Sequence, residues 1–206
     1  MSKQAFLTIF AALAILAICV APRFAPAQQT PQMRDLNPAD LAKIESGEII
    51  LESRTFQDAQ GRTRGGGLAI GYIKTGKDKI IDTILKYEDY PQFMPHVKSA
   101  EVYTRTDAQV DVNFKIEVAF VKLSYYLTHK VDRANGVITW TLDKTKKNDI
   151  AGTDGFWGLK PYKDGTIVYY TVSVDTGRAV PKTIEDYLTK RDLPNIVKTM
   201  RKRVEG

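Results

Sequence analysis

The chain has two histidines, His96 and His129, whose imidazole rings are candidates for metal binding or acid–base catalysis. They are far apart in sequence and no metal-ligand spacing joins them, so we predict no metal site. His129 falls in a predicted strand and could act as a general base if its ring faces an internal cavity. No nucleophile or orienting group stands beside it in the sequence, so we interpret it as a strand histidine bonded to a neighbouring group. We therefore assign no catalytic residue.

Carboxylates alternate with other polar residues along a strand predicted over residues 109–120. Asp111 and Glu117 share one face of it with Asn113 and Lys115. Successive strand side chains point to opposite faces, and a polar face of this kind is typical of a surface in contact with water. Paired-carboxylate catalysis is therefore not predicted, and these four residues are expected to face solvent.

A glycine-rich stretch matches half of a phosphate-binding loop. Gly71, Gly76 and Lys77 follow the G-x4-G-K spacing between a predicted strand and a predicted helix. The next residue is Asp78, where Ser or Thr is needed to hold magnesium, and a carboxylate there repels phosphate. We therefore interpret Gly71 as a strand residue and Gly76 as part of the turn before the helix. No cofactor is predicted.

The first 27 residues have the pattern of a secretory signal peptide. Lys3 supplies the positive start, Ala5–Val20 is an uncharged apolar run, and Ala25-Pro26-Ala27 has the small-residue pattern of a cleavage site. No twin arginine is present, which favours the general secretory route, with Gln28 as the new N-terminus. We expect a periplasmic or secreted protein whose signal peptide is cleaved.

Two other interpretations of this segment stay open. One is an uncleaved membrane anchor, although the apolar run is shorter than the ~20 residues of a usual span. The other is a lipoprotein acylated at Cys19, but Ile18 precedes this cysteine where a small residue is normal. Removal of Cys19 with the signal would leave no cysteine, which suits an oxidising compartment and excludes disulfides and thiol catalysis.

The composition is that of one folded domain, with 43% hydrophobic and 26% charged residues among 206. Cleavage of the signal removes Lys3 and Arg23 and lowers the net charge from +6 to +4. Basic residues are scattered except at Lys144–Lys147 and Arg201–Arg203, whereas nucleic-acid binding needs a concentrated patch. We predict a monomer with no nucleic-acid partner. Two interpretations of the basic charge stay open: transient contact with anionic membrane surfaces, and ordinary solvated surface charge, which we favour.

The first folded elements are a short helix and a hairpin. Residues 28–47 are predicted as a polar lead-in and a helix that begins at Asn37-Pro38, where Asn caps free amides and Pro fits the first turn. Strands over Glu48–Phe56 and Leu68–Thr75 follow, and the four glycines of residues 58–67 predict a turn between them.

Helical segments and then a series of antiparallel strands make up the middle of the chain. Asp78–Tyr87 has helical apolar periodicity, and Tyr90–Pro95 is predicted as a brief helix or turn because two prolines interrupt it. The first strand of the series is predicted over Val97–Arg105, and Asn135-Gly136 marks a hairpin turn. The clearest alternation places one dry face on Val110, Val112, Phe114, Ile116, Val118 and Phe120.

The chain ends in a long amphipathic helix that is predicted to start near Pro181 and to bend near Asp192, since Pro194 interrupts it. A curved antiparallel sheet must bury its dry face, and this helix is the obvious cover. Because one helix does not fill so wide a sheet, we predict an internal apolar cavity, which is the usual form of a ligand site.

Aromatic and aliphatic side chains are predicted to line this cavity, with simple core packing as the alternative for each of them. The predicted lining residues are Phe114, Ile116, Tyr125, Leu127, Trp140, Trp157, Tyr170, Ile184, Leu188, Ile196 and Met200. The predicted mouth residues are Tyr90, Phe93 and Met94. Phe156 is a further aromatic candidate, but apolar residues occur on both faces of the strand predicted over residues 150–162, so its inward face stays undecided.

Two segments carry a family resemblance that spans roughly residues 68–204. Lys79–Val97 holds a helix followed by Tyr-x-x-Tyr-Pro-x-Phe-Met-Pro, and Gly155–Tyr170 holds Trp-x-x-x-Pro followed by Gly-Thr and a tyrosine. Both resemble the START-like (SRPBCC) superfamily, which has the polyketide-cyclase/dehydrase-like fold, and the first is similar to its coenzyme-Q-binding branch.

The resemblance implies an α+β helix-grip fold, in which a curved antiparallel β-sheet wraps around a long C-terminal helix. Here an extra N-terminal helix and strand are expected, because residues 35–63 depart from the usual domain. Members of the superfamily bind lipids, sterols, polyketides and other apolar molecules, and some are cyclases or dehydratases.

We therefore predict that residues 48–206 form a START-like domain that binds or carries a lipid, quinone or isoprenoid-type ligand. One alternative is a cyclase or dehydratase that acts on an apolar substrate in the same cavity, with His129 or a cavity tyrosine as acid or base. The other is an envelope-assembly module in which residues 35–63 dock a partner.

Overall fold

A single antiparallel sheet with helices on both faces makes up the fold. The computed structural model describes residues 33–57, 63–118, 120–177 and 192–206. The described elements are α1 (Pro38–Glu45), β1 (Ile50–Gln57), β2 (Thr63–Ile73), α2 (Lys77–Leu85), a 3-10 turn (Tyr87–Asp89), α3 (Tyr90–Phe93), β3 (Val97–Arg105), β4 (Gln109–Val118), β5 (Val121–Asp132), β6 (Val137–Leu142), β7 (Gly152–Tyr162), β8 (Gly165–Asp175) and α4 (Leu193–Glu205). The predicted signal peptide and the predicted cavity residues Ile184 and Leu188 lie outside the described residues.

The strand order is β1-β2-β8-β7-β6-β5-β4-β3, and every neighbouring pair is antiparallel. Strands β3 to β8 follow one another as hairpins, while β2 crosses over to pair with β8. This curved sheet, with α1 before it and α4 after it in the described residues, confirms the predicted helix-grip fold of α+β class.

Helix α1 begins and ends where the sequence predicts. The Asn37 side chain accepts a hydrogen bond from the Asp40 amide at 2.9 Å, and Pro38 occupies the first turn. Gly47 follows the helix with φ of +93°, a backbone conformation that residues other than glycine rarely adopt. The capping residue and the glycine therefore set the limits of α1.

The predicted turn over residues 58–67 is too long, because its last residues belong to β2. Gly66 pairs with Arg54 of β1 and with Ser173 of β8. A Cβ at position 66 would lie 2.4 Å from the Phe56 ring, so this glycine leaves room for the ring instead of making a turn.

The dry and wet faces predicted for β4 need two corrections. Phe120 follows the strand with φ of +71° and is 95% exposed, because the turn into β5 rotates it away from the dry face. Asp111 and Asn113 are buried, although we expected them to face water. Asn113 donates to Ser124 Oγ and to the Tyr125 carbonyl, and Asp111 accepts from the Gln109 amide, so neighbouring groups replace water there.

The two faces of the sheet carry separate cores. The inner core packs the sheet against α2 and α4, and it includes Ile80, Ile84, Val112, Val197 and Met200. The outer core lies under α1 and the lead-in, and it consists of Ile44, Leu68, Ile70, Tyr72, Phe156, Ile167 and Tyr169, with Met33, Leu36, Leu41, Ile50 and Tyr162 packed against them. The apolar side chains of the lead-in and of α1 therefore pack against the outer face of the sheet.

Arg201 holds helix α4 against β2 and the loop that follows α1. Its guanidinium donates to the carbonyls of Tyr72 and Gly47, both at 2.9 Å. Pro194 stands in the first turn of α4, where proline is tolerated, so the described part of the helix shows no proline break. The helix predicted before Asp192 lies outside the described residues, and within them no helix is both long and apolar enough to cross a membrane.

Candidate functional site

A cavity of about 160 Å³ lies between the inner face of the sheet, the α3–β3 corner and the start of α4. Ten predicted residues surround it: Phe114, Ile116, Tyr125, Leu127, Trp140, Trp157, Tyr170 and Ile196 from the predicted lining, and Tyr90 and Met94 from the predicted mouth. The alternation of the strands therefore brings together side chains that are up to 106 positions apart in sequence.

Two predicted site residues lie elsewhere. Met200 is fully buried in the inner core and does not line the cavity, because α4 turns its stripe of Val197, Met200 and Val204 towards the sheet and α2. Phe93 packs between the Tyr90 ring and the Arg203 guanidinium, which lies 5.2 Å from its ring centroid. Phe93 therefore packs between α3 and α4 and is not among the residues that line the cavity.

Both tryptophans of the chain face the cavity. Trp140 stacks on Tyr170 at 5.6 Å between ring centroids, and Trp157 contacts the same ring at 4.4 Å. Trp157 faces inward, whereas Phe156 belongs to the outer core, which settles the undecided face of β7. Gly155 stands opposite Trp140, and its missing side chain leaves the space that the indole fills.

Eleven further residues line the cavity that were not named among the predicted site residues. They are Tyr87, Pro95, His96, Val97, Leu123, His129, Ile150, Thr153, Val172, Val174 and Asp192. The strand residues among them continue the predicted dry faces and could have been found by the same alternation. His96 and Asp192 lie outside regular strands, so no periodicity in the sequence points to them.

His129 lies in the cavity wall as a neutral, anchored ring. Its Nδ1 lies 3.1 Å from the Val110 carbonyl, so Nδ1 carries the proton and donates. Burial lowers the pKa of His129 to about 4, and the hydrogen bond to Val110 only partly offsets this effect. The ring packs on Tyr87 at 4.6 Å between centroids. A ring with so low a pKa is a weak base at neutral pH, which favours a packing and lining role.

Stability should fall in mildly acidic solution because of His129. Its pKa is about 4 in the folded chain and 6.5 ordinarily, so between these values the unfolded state binds a proton that the folded state does not. The contribution is complete above pH 6.5 and is lost as the pH falls towards 4. At pH 5 the loss should be about 2 kcal/mol, measured by urea unfolding at pH 7.5 and pH 5.

The variant that tests this prediction is His129→Gln. It should lose much less stability than the parent chain between the two pH values, since the glutamine side chain does not titrate. An equal loss in the parent chain and in His129→Gln would show that His129 is not held neutral.

A polar pair lies at the edge of the cavity. His96 Nε2 lies 3.2 Å from Asp192 Oδ2, and the Asp192 side chain is only 6% exposed. His96 has φ of +63°, which turns the α3–β3 corner. Asp192 is the residue before α4, and the pair joins this corner to the start of the helix.

The remaining polar groups among the described lining residues are hydroxyls. Burial raises the pKa of Tyr125 and of Tyr170 well above the ordinary value, so both stay neutral hydrogen-bonding groups at any physiological pH. Tyr87, Tyr90 and Thr153 bring the hydroxyls among the described lining residues to five. In the described part of the chain, no cluster of three His, Cys, Asp or Glu residues could hold a metal ion. The arrangement can therefore enclose an apolar molecule and hydrogen-bond one end of it.

Comparison of sequences places most of the chain in one family. The family described as polyketide cyclase/dehydrase and lipid transport matches residues 79–198, which is more than half of the chain. Among curated proteins, none matches the chain in sequence.

Solved structures with this fold include a STAR-related lipid transfer protein and an aromatase/cyclase. Human STARD10 is 11% identical with a TM-score of 0.63, and covers 86% of this chain and 82% of its own. A STAR-related lipid transfer protein from Xanthomonas axonopodis is 17% identical with a TM-score of 0.61, over 75% of this chain and 99% of its own. The Zhui aromatase/cyclase from a Streptomyces species is 13% identical with a TM-score of 0.56, over 77% and 94%. At these identities the likeness concerns the fold.

Proposed function

This chain belongs to the polyketide cyclase/dehydrase and lipid transport family, and we propose that it binds a small apolar ligand in its cavity as a carrier. The observation that supports the proposal most is the aromatic wall that Trp140, Trp157 and Tyr170 form along the cavity. Flat, apolar walls with few polar groups are characteristic of small-molecule sites. The name of one structural neighbour, a STAR-related lipid transfer protein, points the same way.

The size of the cavity limits the ligand. A volume of about 160 Å³ is close to that of an apolar cavity of ~150 Å³ that binds benzene. It is below the ~300–1,000 Å³ of sites for drug-sized molecules. We infer that the cavity holds one ring or one branched end of a ligand. A lipid, quinone or isoprenoid would place that part inside and extend its remainder through the mouth.

Tryptophan emission tests this proposal directly, because both tryptophans line the cavity. Bromobenzene is a ring compound that quenches tryptophan through its heavy atom. Its titration should give saturable quenching in excess of that of free N-acetyltryptophanamide. Quenching that rises linearly, and no more than for the free amide, would overturn the proposal.

An enzymatic role is the second candidate, suggested by the cyclase among the structural neighbours. A cyclase or dehydratase needs an acid or base that exchanges protons near neutral pH. The low pKa of His129 and the raised pKa values of Tyr125 and Tyr170 argue against these three groups in that role. The carrier proposal is preferred for this reason. A ligand recovered chemically altered after incubation with the protein would reverse the preference.

Export forms part of the proposal. The pattern of Lys3, the apolar run and Ala25-Pro26-Ala27 supports secretion with cleavage before Gln28. Intact-mass analysis of protein from the envelope fraction of producing cells should give a chain that starts at Gln28. A chain that retains Met1, or one lipid-modified at Cys19, would overturn this part.

Membrane contact is proposed at the β4–β5 turn. Phe120 is 95% exposed there, and Lys122 beside it is also exposed. Ile116 and Leu123, which line the cavity, pair in register just behind the turn. An aromatic ring and a lysine beside a cavity are suited to the interface of a lipid bilayer.

Phe120→Ser should weaken binding to vesicles of phosphatidylcholine and phosphatidylglycerol at least tenfold, because insertion of a phenyl ring contributes ~1.5–3 kcal/mol. Co-sedimentation measures the bound fraction. Leu51→Ser is the matched control, since Leu51 is 49% exposed but lies on the edge strand β1, which is far from β4 and β5 in the strand order. Equal binding by both variants and by the parent chain would contradict contact through Phe120.

A further inference from the structure

The Asp192 carboxylate does not cap the helix that follows it. An aspartate at this position usually accepts a hydrogen bond from the free amides of the first turn. Here the side chain makes no such bond, and the Asp192 backbone carbonyl instead accepts from Asn195 and Ile196 at 3.0 and 3.1 Å. The carboxylate is directed to the cavity edge, where it meets His96.

This carboxylate is largely removed from water. Its side chain is 6% exposed, and a charged group is buried at considerable cost unless partners compensate. His96 Nε2 compensates one oxygen, Oδ2, at 3.2 Å. Tyr125 and Tyr170 line the same cavity, and the nearby charge of Asp192 contributes to the raised pKa of Tyr170. A polar end made of a carboxylate and two hydroxyls therefore adjoins the aromatic wall.

We propose that Asp192 accepts a hydrogen bond from the ligand, so that the cavity selects ring compounds that carry a hydroxyl group. A carboxylate has only acceptor atoms, and a hydrogen bond to a charged group is stronger than one between neutral groups. Phenols and cyclic alcohols supply the required donor. Aryl ethers carry acceptors alone, so they make no hydrogen bond to this carboxylate. This inference rests on the proposed binding function and specifies its ligand class.

Two ring compounds that differ in their donor test the inference with the same tryptophan readout. 4-Bromophenol carries a hydroxyl donor, whereas 4-bromoanisole carries only an acceptor, and both quench through bromine. The parent chain should bind 4-bromophenol about tenfold more tightly, the effect of one hydrogen bond to a charged group. This comparison requires no variant.

Asp192→Asn should reduce the preference for the phenol to about threefold or less, since a neutral amide is the weaker acceptor. Asp82→Asn is the matched control, because Asp82 pairs with Arg133 on the exposed side of α2 and should leave the preference unchanged. Equal affinity of the parent chain for both probes, or an unchanged preference in Asp192→Asn, would overturn the inference. Failure of bromobenzene itself to bind would instead overturn the proposed function.

Discussion

Replacement of Gly155 by alanine should lower the free energy of unfolding by ~3 kcal/mol, the upper end of the cost of overpacking. A Cβ at this position would lie 2.2 Å from the Thr171 carbonyl oxygen and 2.3 Å from Trp140 Cζ2. The carbonyl belongs to the sheet backbone, so it moves only with β8. The indole would have to shift into the cavity, which should also weaken quenching by bromobenzene. Urea unfolding measures the first effect and titration the second.

Gly65→Ala is the matched control for this variant. Gly65 is also a strand glycine, but a Cβ there would meet no atom within 4 Å. Its stability should match that of the parent chain or exceed it slightly. A Gly155→Ala variant as stable as Gly65→Ala would show that the packing of Trp140 against β7 is not as described.

Filling the cavity should abolish ligand binding. Thr153 lies on β7 with its side chain at the cavity, so Thr153→Phe places a phenyl ring in a space that itself holds about one ring. We expect binding of bromobenzene to weaken at least tenfold in the tryptophan titration. The chain should still fold, since the ring enters empty space.

Thr141→Phe carries the same substitution on the other side of the sheet. Thr141 neighbours Trp140 on β6 and is exposed, so its side chain points away from the cavity. This variant should quench as the parent chain does. If Thr153→Phe also binds bromobenzene with unchanged affinity, the ligand site does not lie in this cavity.

Alternation along the strands made much of the site predictable. Successive side chains of a strand point to opposite faces of the sheet, so Phe114 and Ile116 on β4, and Tyr125 and Leu127 on β5, were identified from sequence as one apolar surface. The same rule could not choose a face for β7, because Phe156 and Trp157 are both apolar. In the structure Gly155 pairs with Trp140 and faces the cavity, so Trp157, two residues further on, faces inward and Phe156 faces outward.

Turns were the main source of error in the fold. Gly66 was interpreted as a turn residue, whereas it gives space to the Phe56 ring within β2. Phe120 continues the alternation of β4 in sequence, yet the turn after Val118 breaks the pattern in space and exposes the ring. Local composition does not reveal whether a glycine forms a turn or leaves room for a neighbouring side chain, because the second role depends on a partner strand.

The polar end of the cavity could not be predicted from the sequence. His96 and Asp192 are 96 positions apart and belong to no regular pattern, and they meet only when the α3–β3 corner packs against the start of α4. The helix stripe likewise predicted both Ile196 and Met200 at the cavity, but the rotation of α4 places only Ile196 there. Such details depend on packing between distant elements.

Native mass spectrometry of the protein, purified under mild conditions from cells that produce it, shows whether the cavity carries an apolar ligand. We expect a discrete added mass that disappears on denaturation, and its value would identify the ligand class. A bare protein mass, unchanged after incubation with a lipid extract and with ring compounds, would contradict the claim that this cavity binds an apolar ligand.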